Sequence, residues 1–538
     1  MADDALRGDL ANATDPAKGA ALVGYVNRDV YSRLQDTLSI KDFGAIGDGT
    51  SRPLSSKFAS LAAAQAVYPH ATSLNQQLDW AAFQLAINTG KSRGGIAVHC
   101  VDQGHIWMMG SDKLTFGTAA KDISFDCRGS TIKFQRYGIG GNLFEANAPD
   151  GIVFRNLKLD GGMLGLDGNA PATGGQGFSF KTPKNCILDN ISIVNTRGFQ
   201  VLWYADRDNN QAYSNYLIDV RTDGASLTSA GLLFANLYAS YMVRPYVRGI
   251  VKQPDTTGYA IDIKNRCVDC GVIDFLTEDC YLGMVISDDR SGIPEGEDLR
   301  GKGAQNTRIT GTANRCKSAF STNLAIGTTA SIQAVSCGSA STEENIAAIN
   351  IAGFNRFCNY DLHIREVHAD APVIRNGSEY QVFNIQFYDN SGTPLYLGLA
   401  GSYYSEINVM GGPNRSSGLF NMWSKITPFD IEDARTIPRY LDMRDVPSPT
   451  YASGVWRSAL NFLLPGGSRG ANQFSVRDNG NIYMQTLGTP RLSYRQSSNS
   501  WVFDNGVPAA ADDAAAAAAG IPVNGIYQTG GVLKVRIT

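Results

Sequence analysis

Short β-rich runs return in pairs from about residue 122 to residue 410, and this repetition constrains the fold more than any other feature of the chain. Leu143–Ala146 is followed by Ile152–Leu159, Phe178–Lys181 by Cys186–Val194, and Val201–Tyr204 by Tyr216–Val220. The alternation continues with Leu232–Ala235 and Tyr241–Val247, Tyr259–Ile263 and Val272–Leu276, Gly283–Ile286 and Thr307–Thr310. It ends with Asn323–Ile326 and Ser331–Val335, Ala347–Ile351 and Tyr360–Ile364, Ala371–Ile374 and Gln381–Phe387, Pro394–Leu397 and Tyr404–Val409. Successive pairs lie roughly 22–40 residues apart, a period that marks a solenoid. One coil cannot bury its apolar face alone, so equivalent strands of successive coils stack and pair. β-branched and aromatic residues fill the runs, polar residues separate them, and nothing of helical length intervenes. The expected fold is therefore all-β, a parallel β-helix. A propeller is the runner-up, but it needs four strands per repeat. Asn156 and Asn190 sit at equivalent turns (FRNL and LDNI) and read as an asparagine ladder supporting the coil.

Composition narrows the function. A chain of 538 residues exceeds one compact core. Its formal net charge of -3 gives no electrostatic case for nucleic acid or an anionic membrane as partner. No apolar run approaches the roughly 20 residues that span a bilayer. The first 25 residues lack a basic start followed by an apolar core, so they do not read as a signal peptide. Nine scattered cysteines, an odd number, fit buried free thiols made in a reducing cytoplasm better than a disulfide framework. Cys267 and Cys270 form a CxxC, but no second pair or nearby His completes a zinc site. No metal or cofactor is expected.

Residues 1–40 read as a small N-terminal segment ending in a short helix around Arg28–Leu34. Then comes LSIKDFGAIGDGT, residues 38–50, whose glycines permit consecutive tight turns. Asp79 is placed to N-cap a helix with Trp80, Phe83 and Ile87 on its apolar face and Gly90 near its end. Gly94-Gly95 opens the strand Ile96-Ala97-Val98. This combination resembles the start of the pectate-lyase-like right-handed β-helix of phage tailspikes. Two departures stand out: about 25 residues, with Tyr68-Pro69-His70, intervene before the helix, and His99-Cys100 stands where the family tends to have Pro. The resemblance implies a homotrimer on the virion, with residues 1–40 docking to the phage tail or an adaptor. Residues 41–410 would form the β-helix facing the host cell, its partner a bacterial surface polysaccharide.

Residues 411–508 break the period and contain hairpin signals such as Asn479-Gly480, so a C-terminal antiparallel β domain is expected. In residues 509–538 an alanine run should be helical, Gly520 should end it, and Gly530-Gly531 should turn between two final strands. This ending resembles the C-terminal module of many phage tail proteins, which implies a trimerisation role.

A rod of stacked coils offers an extended surface, and sugar polymers are extended, polar ligands gripped by aromatic rings and hydrogen bonds. Glycosidic hydrolysis needs two carboxylates, one protonated and one not. Aligning LIDVRTDG (217–224), MVRPYVRG (242–249), VIDFLTED (272–279) and RITGTANR (308–315) stacks Asp223, Arg248, Glu278 and Asn314 in one column. Asp223 and Glu278 would then stand roughly 9–10 Å apart, at the upper edge of the inverting range of about 6.5–9.5 Å. Arg248 between them would bind substrate and hold one carboxylate ionised, and Asp279 could take either role. Asp288, at the start of the long loop 287–305, could join the same site, and Glu295, Glu297, Asp298 and Glu343-Glu344 are weaker alternatives. Trp203 and Tyr204, followed by Asp206-Arg207-Asp208, are candidates for sugar stacking, with strand alternation burying one of the pair. Acids at strand ends also cap turns, and that reading stays open for each carboxylate. A lyase, a non-cutting adhesin and a secreted pectate-lyase-like enzyme remain alternatives to the hydrolase.

Overall fold

The computed structural model describes residues 2–12, 18, 24–25, 28–29, 38–100, 104–135, 141–162, 176–206, 212–224, 230–252, 258–288, 303–338, 348–352 and 355–366. Beyond these it describes 372–376, 381–388, 396–398, 406–410, 421–423, 441–442, 456–462, 472–477, 482–486, 489–495, 500–502, 509–521, 526–529 and 532–535. Near the N-terminus Ala2–Leu10 is a helix, and Gly24–Tyr25 pairs antiparallel with Arg28–Asp29. Arg28 and Asp29 are thus strand, and the rest of the helix expected around Arg28–Leu34 lies outside the described residues.

The glycine turn and the helix after it close the first coil. Gly44 and Gly47 have φ of 94° and 71°, and a Cβ on either would collide with the Tyr68 hydroxyl or the Trp107 ring. The helix, Leu78–Arg93, is capped by Gln77 without a side-chain bond and ends at Gly94, φ 77°. Asp79 is thus not its N-cap. Its buried carboxylate instead accepts from the backbone N–H groups of Ile46 (2.7 Å), Gly47 (3.2 Å) and Met108 (2.9 Å), tying the turn to a coil strand. Gly90 lies inside the helix, where Ile96 and Ile123 leave no room for a side chain. The segment between turn and helix packs onto the same cap, and Tyr68, wholly buried, donates to the Phe43 carbonyl at 3.0 Å.

The rest is a parallel β-helix. Twelve parallel strands, from Leu114–Thr118 to Asn421–Trp423, form a first sheet. A second and a third face run on from each other, as in Val153–Asp160, Ile187–Val194 and Gly271–Glu278, all paired in parallel with their neighbours. The bend between those faces is one left-handed residue per coil: Asn156 (φ 55°), Asn190 (54°), Asp219 (51°), Arg244 (49°) and Asp274 (54°). Asn and Asp tolerate this conformation because their short side chains bond locally. Asn190 Nδ2 donates to Asn156 Oδ1 at 2.8 Å and Asn156 Nδ2 to Asp126 Oδ1 at 3.0 Å, so the expected ladder is present. On the next coils Arg244 replaces it with two bonds to Asp219, at 2.8 and 2.7 Å. Inside, ring stacks such as Phe144–Phe178 (4.6 Å between centroids) run along the axis. All nine cysteines are buried and free; Cys267 and Cys270 donate to the carbonyls of Phe234 and Leu237 at 3.5 and 3.3 Å.

Parallel pairing continues past residue 410, since Tyr396–Gly398 pairs with Asn421–Trp423 and Ile407-Asn408 with Leu441-Asp442. The coil thus outlasts the expected boundary. Trp456–Phe462, Asn472–Arg477, Ile482–Thr486, Thr489–Arg495 and Ser500–Val502 form a five-stranded antiparallel sheet. Val476 pairs with Ile482 around Asn479-Gly480, which itself lies outside the described residues. Asp512 caps the alanine helix Asp513–Ala518, and Ile526–Thr529 pairs antiparallel with Val532–Val535. Among the described residues no helix is long and apolar enough to cross a membrane.

Candidate functional site

Third-face strands alternate inward and outward side chains and end on an outward one before the chain turns into the first sheet. Cα pairing sets Asp223 opposite Arg248, Arg248 opposite Glu278, and Glu278 opposite Asn314. These four residues form one column on successive coils, in the register that the aligned segments suggest. At about 4.8 Å per coil, Asp223 and Glu278 stand roughly 9–10 Å apart.

Glu278 is partly enclosed, its side chain 22% exposed. Tyr246, a residue of the preceding coil, donates its hydroxyl to Glu278 Oε2 at 2.7 Å, and Asn314 Nδ2 donates to Oε1 at 3.1 Å. Burial, helped by the bond to Glu278, pushes the Tyr246 phenol up to about 12, so it remains a proton donor across the physiological range. Asp279 sits at the following turn with φ 53°. Arg315 grips it by two bonds, Nε to Oδ1 at 2.6 Å and an Nη to Oδ2 at 2.9 Å, and Arg248 Nε lies 3.6 Å from Oδ2. The Arg315 hydrogen bonds, then the charges of Arg315 and Arg248, hold the Asp279 carboxyl below its ordinary range. Asp279 is therefore a carboxylate clamped between Arg315 and Arg248. Arg248 thus leans on Asp279. The main chain at Asp223 is fixed by the buried Gln200, whose Nε2 donates to the Asp223 carbonyl at 3.3 Å.

Asp288 does not join this column. It follows Leu282–Ser287, a first-sheet strand of six residues, so roughly 17 Å of extended chain separates it from the Glu278 turn. The residue that lies near that strand end is Asp262, which the sequence reading passed over. Asp262 pairs with Leu233 and Val285 on the outward side of the first sheet, while its neighbours Ile261 and Ile263 point into the core. It is nevertheless 1% exposed, with Ser287 Oγ 2.8 and 3.0 Å from its two oxygens. Burial pushes its carboxyl up to about 7, against the pull of Ser287 and Lys264. The signal was present: YAIDIK places one acid in an otherwise apolar run.

Trp203 cannot stack on a sugar. It is wholly buried, stacked between Phe180 (5.6 Å) and Phe234 (5.8 Å) in the axial column. Tyr204 takes the outward side, half-buried and in register with Lys181 and Ala235. Asp206 pairs with Lys181 at 3.1 Å. Arg207, Asp208, Glu295, Glu297, Asp298, Glu343 and Glu344 lie outside the described residues. Among the described residues no group of three His, Cys, Asp or Glu side chains is arranged to hold a metal ion.

Comparison with protein-family models and with curated sequences finds no match. Comparison with solved structures finds matches. The tailspike protein of E. coli bacteriophage HK620, solved as a double mutant in complex with a pentasaccharide, matches with a TM-score of 0.46 at 13% identity, over 77% of this chain and 78% of that one. The tailspike protein gp49 of Pseudomonas phage LKA1 matches with a TM-score of 0.34 at 16% identity, over 71% and 79%. The A-module of the mannuronan C-5 epimerase AlgE6 from Azotobacter vinelandii matches with a TM-score of 0.45 at 12% identity, over 71% and 95%. The structures this chain is similar to are, for the most part, phage tailspikes, alongside enzymes that act on glycans.

Proposed function

We propose that the chain is a phage tailspike that binds a bacterial surface polysaccharide (capsule, exopolysaccharide or O-antigen) and hydrolyses it with Asp223 and Glu278. One observation carries the reading: two carboxylates stand in one outward column, two coils apart, with an arginine between them. Their separation of roughly 9–10 Å leaves room for a water beside the sugar, as inverting hydrolysis requires. The protonated member would give its proton to the glycosidic oxygen, and the ionised member would take one from the attacking water. Asn314 and Tyr246 fix Glu278 by donating to both of its oxygens. Asp279, Arg315 and Arg248 form a charged frame beside the pair.

The rest of the assignment follows the same reading. Three copies would assemble side by side, residues 509–538 would serve trimerisation, and residues 1–40 would attach the spike to the tail or an adaptor. The spike would be made in the host cytoplasm and act at the cell surface from the virion. Incubating the protein with polysaccharides from candidate hosts, and following reducing ends and chain length, tests the chemistry. New reducing ends without the ultraviolet absorbance of an unsaturated product support hydrolysis. An unsaturated product would mean a lyase, and binding without shortening an adhesin.

A further inference from the structure

The outward side of the second face changes character along the rod. One column reads Arg155, Asp189, Ile218, Val243, Ile273, each in register with the next. The column beside it reads Val153, Ile187, Tyr216, Tyr241, Gly271, Arg308. Their side chains alternate with the buried Leu217, Met242 and Val272, so the middle coils present apolar groups to the outside, all of them partly exposed. Outward positions of a sheet facing water are ordinarily polar, as Asp126 and Asp361 are elsewhere on this face. A contiguous apolar patch on such a face marks a contact surface.

Two features say what covers it. Tyr216 and Tyr241 stack along the axis, their centroids 6.2 Å and their planes 17° apart. A Cβ on Gly271 would meet Tyr241 Cδ1 at 2.8 Å, so the next coil lies against the Tyr241 ring. The rings therefore turn edges outward and keep their faces along the stack. That suits side-chain packing in a protein interface and withholds the ring face on which a sugar stacks. Charge gives the second feature. The patch itself carries none, and Asp219 and Arg244 at the bend beside it bind each other at 2.8 and 2.7 Å. Below the patch Arg155 and Asp189 stand 3.6 Å apart, opposite charges on adjoining coils. A second copy set level alongside matches every step: its apolar coils stand at the height of these, and its Asp189 and Arg155 face the opposite charges.

We propose that the second face around Tyr241 and Val243 is the surface through which parallel copies of this chain meet, coil level with coil. The inference rests on the side-by-side assembly in the reading above and names the face that joins it. Closed symmetry about an axis along the rod brings the same residues of each copy to the same height, so one apolar patch serves every copy.

The test uses the full chain, whose copy number in solution is read by light scattering. Ile187→Cys and Val243→Cys, made singly, each put an accessible thiol on the face, since all nine native cysteines are buried. Lys181→Cys, on an outward position of the first sheet with a side chain 40% exposed, is the control. Each variant is treated with a short bis-maleimide, and cross-linked chains are measured on a denaturing gel. The expected result is an assembly in which Ile187→Cys and Val243→Cys cross-link between copies at least about tenfold more than Lys181→Cys, with unchanged thermal melting. An assembly that cross-links no better at Ile187 and Val243 than at Lys181 overturns this face while leaving the side-by-side assembly intact. Cross-linking at Val243 without Ile187 overturns the level, parallel arrangement. A single-chain mass overturns the assembly, and the face with it.

Discussion

The Tyr246 hydroxyl reaches across one coil and donates to Glu278 Oε2 at 2.7 Å. Burial, helped by this bond, pushes the phenol up to about 12, so the hydroxyl keeps its proton at neutral pH. Tyr246→Phe should therefore slow cleavage by roughly tenfold, the worth of one side-chain hydrogen bond, with little change in melting temperature. Rate measured against polysaccharide concentration checks it. An unchanged rate would mean that Glu278 needs no such support.

Asp262 predicts a pH effect of definite sign. Its carboxyl is pushed up from 3.8 to about 7 in the folded chain, so the native state holds the proton through a window where the unfolded chain has released it. Its contribution is full below about pH 4, shrinks as pH rises, and is gone above about pH 7. Asp262→Asn removes the dependence. Its melting temperature relative to the parent should climb between pH 4 and 7 and then level off, by an amount on the order of a few kcal/mol of stability. A constant offset across this range would contradict the assignment.

Asp79 ties the glycine turn to a coil strand through three backbone N–H groups, two in the turn and one at Met108. Asp79→Ala leaves those donors without their acceptor and should cost about 3 kcal/mol or more. Thermal or denaturant unfolding reads this directly.

Trp203 and Tyr204 should separate cleanly. Trp203→Ala opens a hole in the ring column and should destabilise the chain by about 3–5 kcal/mol. Tyr204→Ala, at an outward position, should leave melting nearly unchanged. If Tyr204 contacts sugar, its loss appears in polysaccharide affinity alone.

The coil was legible because stacking imposes the same demand on every turn: apolar in, polar out, at a fixed period. The column at Asp223, Arg248 and Glu278 was legible for the same reason, since those parallel strands keep their register; Asn314 falls opposite Glu278 only past a register shift between Val272 and Phe275. What escaped were choices between equivalent local options. Asp79 at the start of a helix fits an N-cap by pattern, but the glycine turn and the strand at Met108 bring three amides to it instead. Trp203 and Tyr204 differ by one position, so alternation alone leaves open which faces inward; Phe180 and Phe234 in the adjoining coils decide it. Asp262 escaped because a lone acid in an apolar strand shows neither its cover nor its Ser287 partner until the coils are stacked.

The central claim is that Asp223 and Glu278 cut a polysaccharide that the coil binds. The direct measurement is reducing-end release from a bound host polysaccharide by the parent chain, Asp223→Asn and Glu278→Gln, with binding followed in parallel. The account predicts that each variant binds as before and cleaves at least about a hundredfold more slowly. Cleavage at the parent rate by either variant would contradict it.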